Sequence, residues 1–137
     1  MAKIFLDTNP IIYILDSQQK FREKTLSVLS NFIQNSYDLC TSVITDSEFL
    51  ILPFKKNDTN AFIAYQNFLD KLRVYQTDIT KLIAKTAAEL RSKYAGLKMA
   101  DSLQLASSIV CDCEGFLTND RRLKQVAEAN VLYLGDL

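Results

Sequence analysis

The sequence predicts a single α/β domain built on a five-stranded parallel sheet that is flanked by helices. Short apolar runs alternate along the chain with longer segments of helical periodicity, an order typical of a parallel sheet covered on both faces. The predicted strands are continuously apolar, as expected of strands that are buried on both sides. The 137 residues, of which 48% are hydrophobic, can build one core, so we expect residues 1–137 to form one domain.

The first half of the chain predicts two strands and four helices. The apolar run Lys3–Leu6 feeds a helix in which Asn9 is expected to be the cap and Pro10 the first helical residue. A later helix is expected to end at Pro53, since proline interrupts helical hydrogen bonding. The predicted elements are, in order, strand Lys3–Leu6, a helix from Pro10, helix 21–32, strand 37–41, helix 45–54 and helix 58–72.

The second half predicts three strands and three helices. One helix is expected to be terminated by Gly96, and the next is apolar around most of its circumference, which predicts that it is buried. The predicted elements are, in order, strand 73–76, helix 80–94, helix 101–111, strand Gly115–Thr118, helix 121–128 and strand 131–134.

The chain contains no histidine, which excludes Ser-His-Asp and Cys-His catalysis and every zinc site that needs imidazole. The three cysteines lack the spacing of a zinc ribbon or a redox pair. Cys111 and Cys113 could serve a metal or a disulfide, and ordinary half-buried packing is the alternative that we favour. Catalysis must therefore rest on carboxylates, hydroxyls, amides, Lys or Arg, and any metal must be a hard cation held by oxygen.

The net charge is zero but unevenly distributed, with −2 over residues 1–50, +5 over 51–100 and −3 over 101–137. The basic middle segment could favour a polyanion, or it could be the solvated face of two amphipathic helices. The longest apolar run, 49–54, is too short to span a bilayer, and the first residues lack the pattern of a signal peptide. We therefore expect a cytoplasmic protein that does not enter the membrane.

Four acidic residues are predicted to meet at the carboxyl ends of the strands, where functional groups gather in an open parallel sheet. Asp7 follows the first strand and Asp120 follows the fourth. Glu48 lies in the first turns of the helix after the second strand, and Asp101 begins the buried helix. Four carboxylates at one place repel one another, and a divalent cation with oxygen ligands would offset that repulsion.

Each of these acids also has a purely structural alternative. Asp7 and Asp120 could cap the helices that follow them. Glu48 could complete a capping box at the start of its own helix, paired with Thr45. Asp101 could be a first-turn acid that complements the helix dipole.

The segments around the four acids resemble the motifs of PIN-domain nucleases. They are FLDTN at 5–9, TSVITDSEFL at 41–50, KMADSLQLA at 98–106 and FLTND at 116–120. The resemblance covers essentially the whole chain, and in size and motif spelling it is strongest to the VapC-type toxins of bacterial type II toxin–antitoxin systems. It implies a five-stranded parallel sheet of order 3-2-1-4-5 flanked by helices.

The resemblance also implies a catalytic metal site for Mg²⁺ or Mn²⁺. Asn9 and Thr118 would be supporting residues that orient ligands or bind water. Asn119 stands where many relatives have Arg, and we expect this difference to affect substrate or partner contacts rather than metal binding. The implied metal ligands are Asp7, Glu48, Asp101 and Asp120.

By the same resemblance the chain is expected to hydrolyse RNA through a metal-activated water, leaving a 5′ phosphate. Lys98, Arg121 and Arg122 lie beside the acidic motifs and could contact substrate phosphates, or could be ordinary surface cations. A cognate antitoxin and a homodimer are the expected protein partners. The dimer would use the apolar first helix and residues 49–54, unless these residues simply complete the core.

Several rival functions can be compared with the same residues. A haloacid-dehalogenase-like phosphotransferase with Asp7 as its nucleophile needs a second Asp at the position of Asn9. A receiver domain needs an acidic pair after the first strand, which is absent. A solitary PIN-domain RNA-processing nuclease and an inactive PIN-like RNA- or protein-binding module remain as alternatives, although four intact acids disfavour an inactive module.

Overall fold

The computed structural model describes residues 2–16 and 18–137, and in these ranges it contains one five-stranded sheet and seven α-helices. The strands are β1 (Lys3–Leu6), β2 (Asp38–Ser42), β3 (Tyr75–Thr77), β4 (Gly115–Thr118) and β5 (Val131–Tyr133). The helices are α1 (Thr8–Leu15), α2 (Arg22–Gln34), α3 (Ile44–Phe49), α4 (Ile51–Lys56), α5 (Thr59–Lys71), α6 (Lys81–Lys93) and α7 (Met99–Val110). Short 3₁₀ helices cover Arg121–Gln125 and Leu134–Asp136.

All neighbouring strands are parallel, and their order is β3-β2-β1-β4-β5, which confirms the predicted fold class and strand order. The central strand is β1, in which Phe5 pairs with Cys40 of β2 on one side and Phe116 of β4 on the other. The segments that follow β1, β2 and β4 therefore emerge side by side at one edge of the sheet. This edge carries the residues considered below.

Helices cover both faces of the sheet, and each face has its own apolar core. On one face, Leu6 and Leu117 pack with residues of α1, α2 and α5. On the other face, Phe5 and Phe116 stack with ring centroids 5.4 Å apart and pack with residues of α6 and α7. Alternate residues of each strand thus serve opposite cores, which explains why the strands are apolar throughout. None of the helices in the described ranges is both long and apolar enough to cross a membrane.

The predicted beginning of α1 was wrong by two residues. The helix starts at Thr8, and Asp7 rather than Asn9 is its cap, because an Asp7 oxygen accepts a hydrogen bond from the Thr8 N–H at 2.9 Å. Pro10 is the third helical residue, where its missing N–H costs nothing because the first four N–H groups of a helix have no intrahelical acceptor. The Asn9 side chain instead accepts a hydrogen bond from the Asn119 N–H at 3.0 Å.

The predicted helix 45–54 is in fact two helices, and Pro53 does not end it. The helical structure is interrupted at Leu50. Pro53 lies in the first turn of α4, which continues to Lys56. The helix ends at Asn57, whose left-handed backbone (φ 49°) is a common way to close a helix. The error has the same cause as at Pro10, because proline is tolerated in a first turn.

The predicted α-helix 121–128 is a 3₁₀ helix limited to Arg121–Gln125. Leu123 in this helix and Val126, the residue that caps its C-terminus, are both fully buried and lie three positions apart. That spacing matches the three residues per turn of a 3₁₀ helix rather than 3.6. The remaining predicted elements agree with the structure to within a few residues, and α6 ends before Gly96, whose φ is +79°.

Candidate active site

Asp7 lies directly after the central strand and is almost fully buried, with 5% of its surface exposed. One carboxylate oxygen accepts from the Thr8 N–H, and the other accepts from the Thr118 hydroxyl at 2.8 Å. Burial raises the pKa of Asp7 to about 7, the two hydrogen bonds oppose this rise, and the negative charges of Asp101 and Glu48 add to it. The Asp7 carboxylate is therefore held in place, and its charged form is unfavourable at this position. It also caps α1, as the structural interpretation of this residue predicted.

Glu48 lies on α3 and points toward the start of α1. Its Oε1 accepts a hydrogen bond from the Thr8 hydroxyl at 2.6 Å. The capping-box alternative is wrong, since the cap of α3 is Val43 rather than Thr45, and the side chain that accepts from the first N–H of α3 is Ser42, at 3.1 Å from Ile44. Glu48 therefore forms a hydrogen bond to another helix at the edge of the sheet and does not cap its own helix.

Asp101 lies in the first turn of α7 and is half-buried. The pKa of Asp101 is raised, first by burial and then by the charges of Asp120 and Glu48, while Arg122 and Lys98 lower it. Asp7 and Asp101 thus each respond to two of the other acids. Asp101 is therefore within electrostatic reach of all three other predicted acids at one edge of the sheet.

Asp120 differs from the other three acids because it has a basic partner. Its carboxylate accepts from the Arg122 Nε at 3.0 Å and Nη2 at 2.7 Å, and also from the Arg122 N–H at 3.1 Å. These hydrogen bonds lower the pKa of Asp120. The last of them caps the 3₁₀ helix, which agrees with the structural alternative for this residue.

Hydrogen bonds from Thr8, Thr118 and Arg122 thus hold Asp7, Glu48 and Asp120. Over residues 2–16 and 18–137, no three acidic, cysteine or histidine side chains are close enough together to form a ready-made cation site. The donors at this edge are nonetheless carboxylate oxygens, the type that hard divalent cations prefer. Mutual repulsion and the raised pKa of Asp7 are further features that a cation would relieve, so the residues fit such an ion.

The supporting residues predicted at this edge connect the segments after β1 and β4. The Thr118 hydroxyl donates to Asp7 and accepts from the Asp120 N–H at 3.0 Å, so it fixes two acids at once. Asn9 accepts from the Asn119 N–H, and the Asn119 amide donates to the Tyr13 hydroxyl at 3.0 Å. Both Asn9 and Thr118 are therefore structural links between the two segments.

A buried amide on α7 lies beneath the acids and was not predicted from the sequence. The Gln104 side chain, 1% exposed, donates from its nitrogen to the hydroxyls of Thr8 (3.2 Å) and Thr45 (2.9 Å). Its oxygen accepts from the Ser42 hydroxyl. One side chain thus joins α7 to α1, α3 and the end of β2.

The protons of this network have a defined direction. The Thr41 hydroxyl donates to the Leu6 carbonyl at 2.8 Å, so Thr45 must donate to Thr41, 2.8 Å away. The Thr8 hydroxyl accepts a hydrogen bond from the Gln104 amide and donates one to Glu48. The network therefore presents a hydrogen-bond donor to Glu48 and keeps this oxygen an acceptor. A sequence signal did exist, since Gln104 is a long polar residue in a helix that is apolar around most of its circumference, one turn after Asp101.

A cleft of about 530 Å³ opens beside Asp101. It is lined by the turn after α6 and by Arg121, Arg122 and Gln125 of the 3₁₀ helix. Lys98, the residue before α7, is close enough to Asp101 and Asp120 to lower the pKa of both. The three predicted cations therefore lie around the acidic edge, two of them on the wall of the cleft.

Comparison with known proteins gives a family match for nearly the whole chain. The model of the PIN domain family matches residues 4–129. No curated protein sequence matches the chain.

Solved structures with the same fold include several complexes. VapBC2 from Rickettsia felis, bound to a DNA fragment from its promoter, contains a chain that superposes with a TM-score of 0.81 at 18% identity, covering 96% of this chain and 98% of that one. FitAcB from Neisseria gonorrhoeae gives a TM-score of 0.71 at 22% identity, with 98% and 99% covered. VapBC-1 from Haemophilus influenzae gives a TM-score of 0.75 at 15% identity, covering 97% of this chain and 98% of that one. At these identities the likeness concerns the fold.

Proposed function

The chain belongs to the PIN domain family, and we propose that it is a divalent-metal-dependent endoribonuclease and the toxin of a toxin–antitoxin pair. The observation that carries this proposal is the gathering of four acids from distant parts of the sequence at one edge of a PIN-type sheet. Burial raises the pKa values of Asp7 and Asp101, and the charges of neighbouring acids raise them further, so the ionised cluster is unfavourable without a cation. An arrangement that costs stability at a sheet edge is typical of a functional site.

In this proposal the cation is Mg²⁺ or Mn²⁺, and its protein ligands are Asp7, Glu48, Asp101 and Asp120. When bound, such an ion neutralises charge on a phosphodiester and makes a water molecule more acidic. Arg122 holds Asp120 through two nitrogens, so a cation bound by Asp120 would compete with this ion pair. The freed Arg122 side chain could then contact a substrate phosphate in the adjacent cleft.

The chain's own residues would orient the reaction. Thr118 and the Thr8 N–H hold Asp7 in one rotamer, and the Thr8 hydroxyl holds Glu48. Asp101 is half-buried, and its raised pKa makes it a better proton acceptor than an ordinary aspartate for the attacking water. Attack in line with the leaving 3′ oxygen produces a 5′ phosphate, and the 2′ hydroxyl of RNA takes no part.

Arg121 and Arg122 on the cleft wall, with Lys98 nearby, support the binding of a nucleic acid strand that passes beside Asp101. Positive side chains next to an acidic site position phosphates without reading sequence. We expect replacement of these basic side chains to weaken substrate binding and to reduce its salt dependence, with a smaller effect on the rate of the chemical step.

An exposed apolar surface supports protein partners. Ile51, Leu52 and Phe54 of α4 and Ile63 of α5 are each more than half exposed. Beside them is a groove of about 360 Å³. It is lined by apolar residues of α1, α3, α4 and α5 and by four charged residues, Asp16, Glu48, Lys56 and Asp58. The first helix, which was also expected to pair two copies, instead buries Ile11 and Ile14 in the core. We propose that α4 and α5 pair two copies of the chain and that the groove takes an apolar segment of an antitoxin. A solved structure with the same fold is described as a toxin–antitoxin complex from Klebsiella pneumoniae, with a TM-score of 0.72 at 20% identity, which supports such a partner.

The test is RNA cleavage by purified protein, with Mg²⁺ or Mn²⁺ and with chelator. The wild-type chain is expected to cleave only with the metal, and Asp7→Asn is expected to lose cleavage by orders of magnitude. Asp78→Asn is the matched control, since Asp78 also follows a strand, β3, but lies outside the four acids. Cleavage that persists in chelator, or that Asp78→Asn abolishes equally, would refute the proposal.

A further inference from the structure

Two cysteine sulfurs lie in contact although they are far apart in the sequence. The Sγ atoms of Cys40 and Cys113 are 3.3 Å apart. Cys40 is in the middle of β2, 3% exposed, and its sulfur is also 3.7 Å from the Ile4 carbonyl oxygen. Cys113 lies in the turn between α7 and β4, where its N–H bonds to the Ser108 carbonyl at 2.9 Å. Cys40 is thus placed by the sheet, and Cys113 is placed by a backbone hydrogen bond to the last turn of α7.

We propose that Cys40 and Cys113 form an oxidisable dithiol, which a hydroperoxide converts into an intramolecular disulfide. A disulfide bond is about 2.05 Å long, so the sulfurs need to approach by only about 1.3 Å. Small side-chain rotations can supply such a change while the strands stay in register. The pairing differs from the Cys111–Cys113 pair that the sequence alone draws attention to.

The surroundings of the two thiols suit different steps. Cys113 is half-buried and can meet a small oxidant. The hydrogen bond from Cys40 lowers the pKa of Cys113, and the charge of Lys3 lowers it further. The same contact and burial raise the pKa of Cys40. Cys113 is therefore the thiol that reacts with the oxidant, and Cys40 is the thiol that resolves the product.

The reaction balances with the hydroperoxide as oxidant. The Cys113 thiolate attacks the distal oxygen, the O–O bond breaks, and an alcohol (water, for hydrogen peroxide) leaves after taking up a proton, so that Cys113 becomes a sulfenic acid. The Cys40 sulfur then attacks the Cys113 sulfur, the S–O bond breaks, and the leaving hydroxide takes the Cys40 proton to become water. Two electrons pass from the two thiols to the peroxide.

The disulfide would join β2 to the segment that enters β4, and β1 lies between these two strands. Closing such a long stretch of chain restricts the unfolded state, so the oxidised protein is expected to melt at a higher temperature. The pair lies before the carboxyl ends of the strands, away from the four acids. This inference is therefore independent of the nuclease proposal.

The experiment treats the reduced full-length chain, in chelator, with a small excess of hydrogen peroxide under native conditions. Thiols counted after denaturation are expected to fall from three to one, and the mass to fall by about 2 Da in a product that is not cross-linked between chains. The melting temperature is expected to rise by several degrees and to return with dithiothreitol. An unchanged thiol count, a cross-linked dimer or a lower melting temperature would overturn the proposal.

Variants and peptide mapping identify the pair. Cys111→Ser is expected to lose its two remaining thiols as the wild type loses two, whereas Cys40→Ser is expected to form no intramolecular disulfide. Cleavage before aspartate separates Cys111 from Cys113 at Asp112, so mapping of the wild type assigns the bond even if a variant folds poorly. A bond between Cys111 and Cys113, or one that persists in Cys40→Ser, would contradict the proposal.

Discussion

At the scale of single residues, Asp7 shows most clearly how the site lowers the stability of the folded chain. Among the described residues it is the acid with a buried side chain, and two hydrogen bonds do not compensate its loss of hydration. Its folded pKa of about 7 lies well above the ordinary 3.8. The ionised carboxylate therefore opposes folding, and a cation would reverse the balance.

This difference predicts a pH dependence of the free energy of unfolding in chelator. A pKa raised by folding means that the native state binds the proton more tightly, so stability is greatest below about pH 4 for this group and is lost as pH rises through about 7. The loss attributable to Asp7 is up to about 4 kcal/mol. Urea unfolding of the wild type between pH 5 and 8.5 should show the decline.

Asp7→Asn provides the comparison. Without a titrating group at this position, its stability in chelator should vary less with pH, and it should exceed that of the wild type at pH 8. If the two proteins show the same slope, the burial of Asp7 does not destabilise its charged form, and the electrostatic description of the site fails.

At the scale of elements, α7 connects the acidic edge to the buried hydroxyls. Asp101 and Gln104 are one turn apart on this helix, so any shift of α7 moves both. Gln104 in turn bonds to Thr8, which holds Glu48. The geometry of two of the four acids therefore depends on one amide.

We expect Gln104→Leu to impair both stability and activity. The substitution removes three hydrogen bonds and leaves buried hydroxyls with fewer partners, which costs about 1–3 kcal/mol in the free energy of unfolding. With Glu48 less well fixed, RNA cleavage at saturating Mn²⁺ should fall by about tenfold or more. Chemical denaturation and single-turnover kinetics measure the two effects.

Ser108→Ala is the matched control on the same helix. Ser108 is also buried, but its hydroxyl donates to the Leu105 carbonyl within α7 and takes no part in the network. Ser108→Ala should lower the free energy of unfolding less than Gln104→Leu does, and it should leave RNA cleavage unchanged. Equal loss of cleavage in the two variants would mean that Gln104 acts only through general packing of α7.

The elements also show how far the sequence could be interpreted. The strands and the position of the four acids follow from apolar runs and from the rule that functional groups lie beyond strand ends. The errors at Pro10 and Pro53 arose because proline is compatible with a first turn, which sequence alone does not distinguish from a boundary. The network around Gln104 joins three distant segments, and hydroxyl residues at such distances have no shared spacing to recognise.

At the scale of the whole molecule, the strand order followed from family resemblance, since a pattern of alternating elements fixes the number of strands but not their neighbours. The arrangement buries most large apolar side chains in two cores but leaves the apolar surface of α4 and α5 exposed. Such a surface on a small chain is typical of a protein contact.

We therefore expect the purified chain to be a dimer and Ile51→Lys to shift it toward the monomer. Ile51 is 56% exposed, so the charge should disturb the contact between copies without disturbing the core. Light scattering coupled to size exclusion measures the mass. Leu82→Lys, at a 60% exposed position on α6, is the control and should remain dimeric. A wild type that is monomeric at high micromolar concentration would contradict this prediction.

That the four acids hold one catalytic cation is tested most directly by thermal melts of the wild type and Asp101→Asn, each in chelator and in Mn²⁺. Removing one of several crowded charges should stabilise the metal-free variant by about 1 kcal/mol. The stabilisation of the wild type by Mn²⁺ should shrink or vanish in the variant, and RNA cleavage should fall by orders of magnitude. A variant that melts lower in chelator, gains as much from Mn²⁺ and still cleaves RNA would show that Asp101 only complements the dipole of α7.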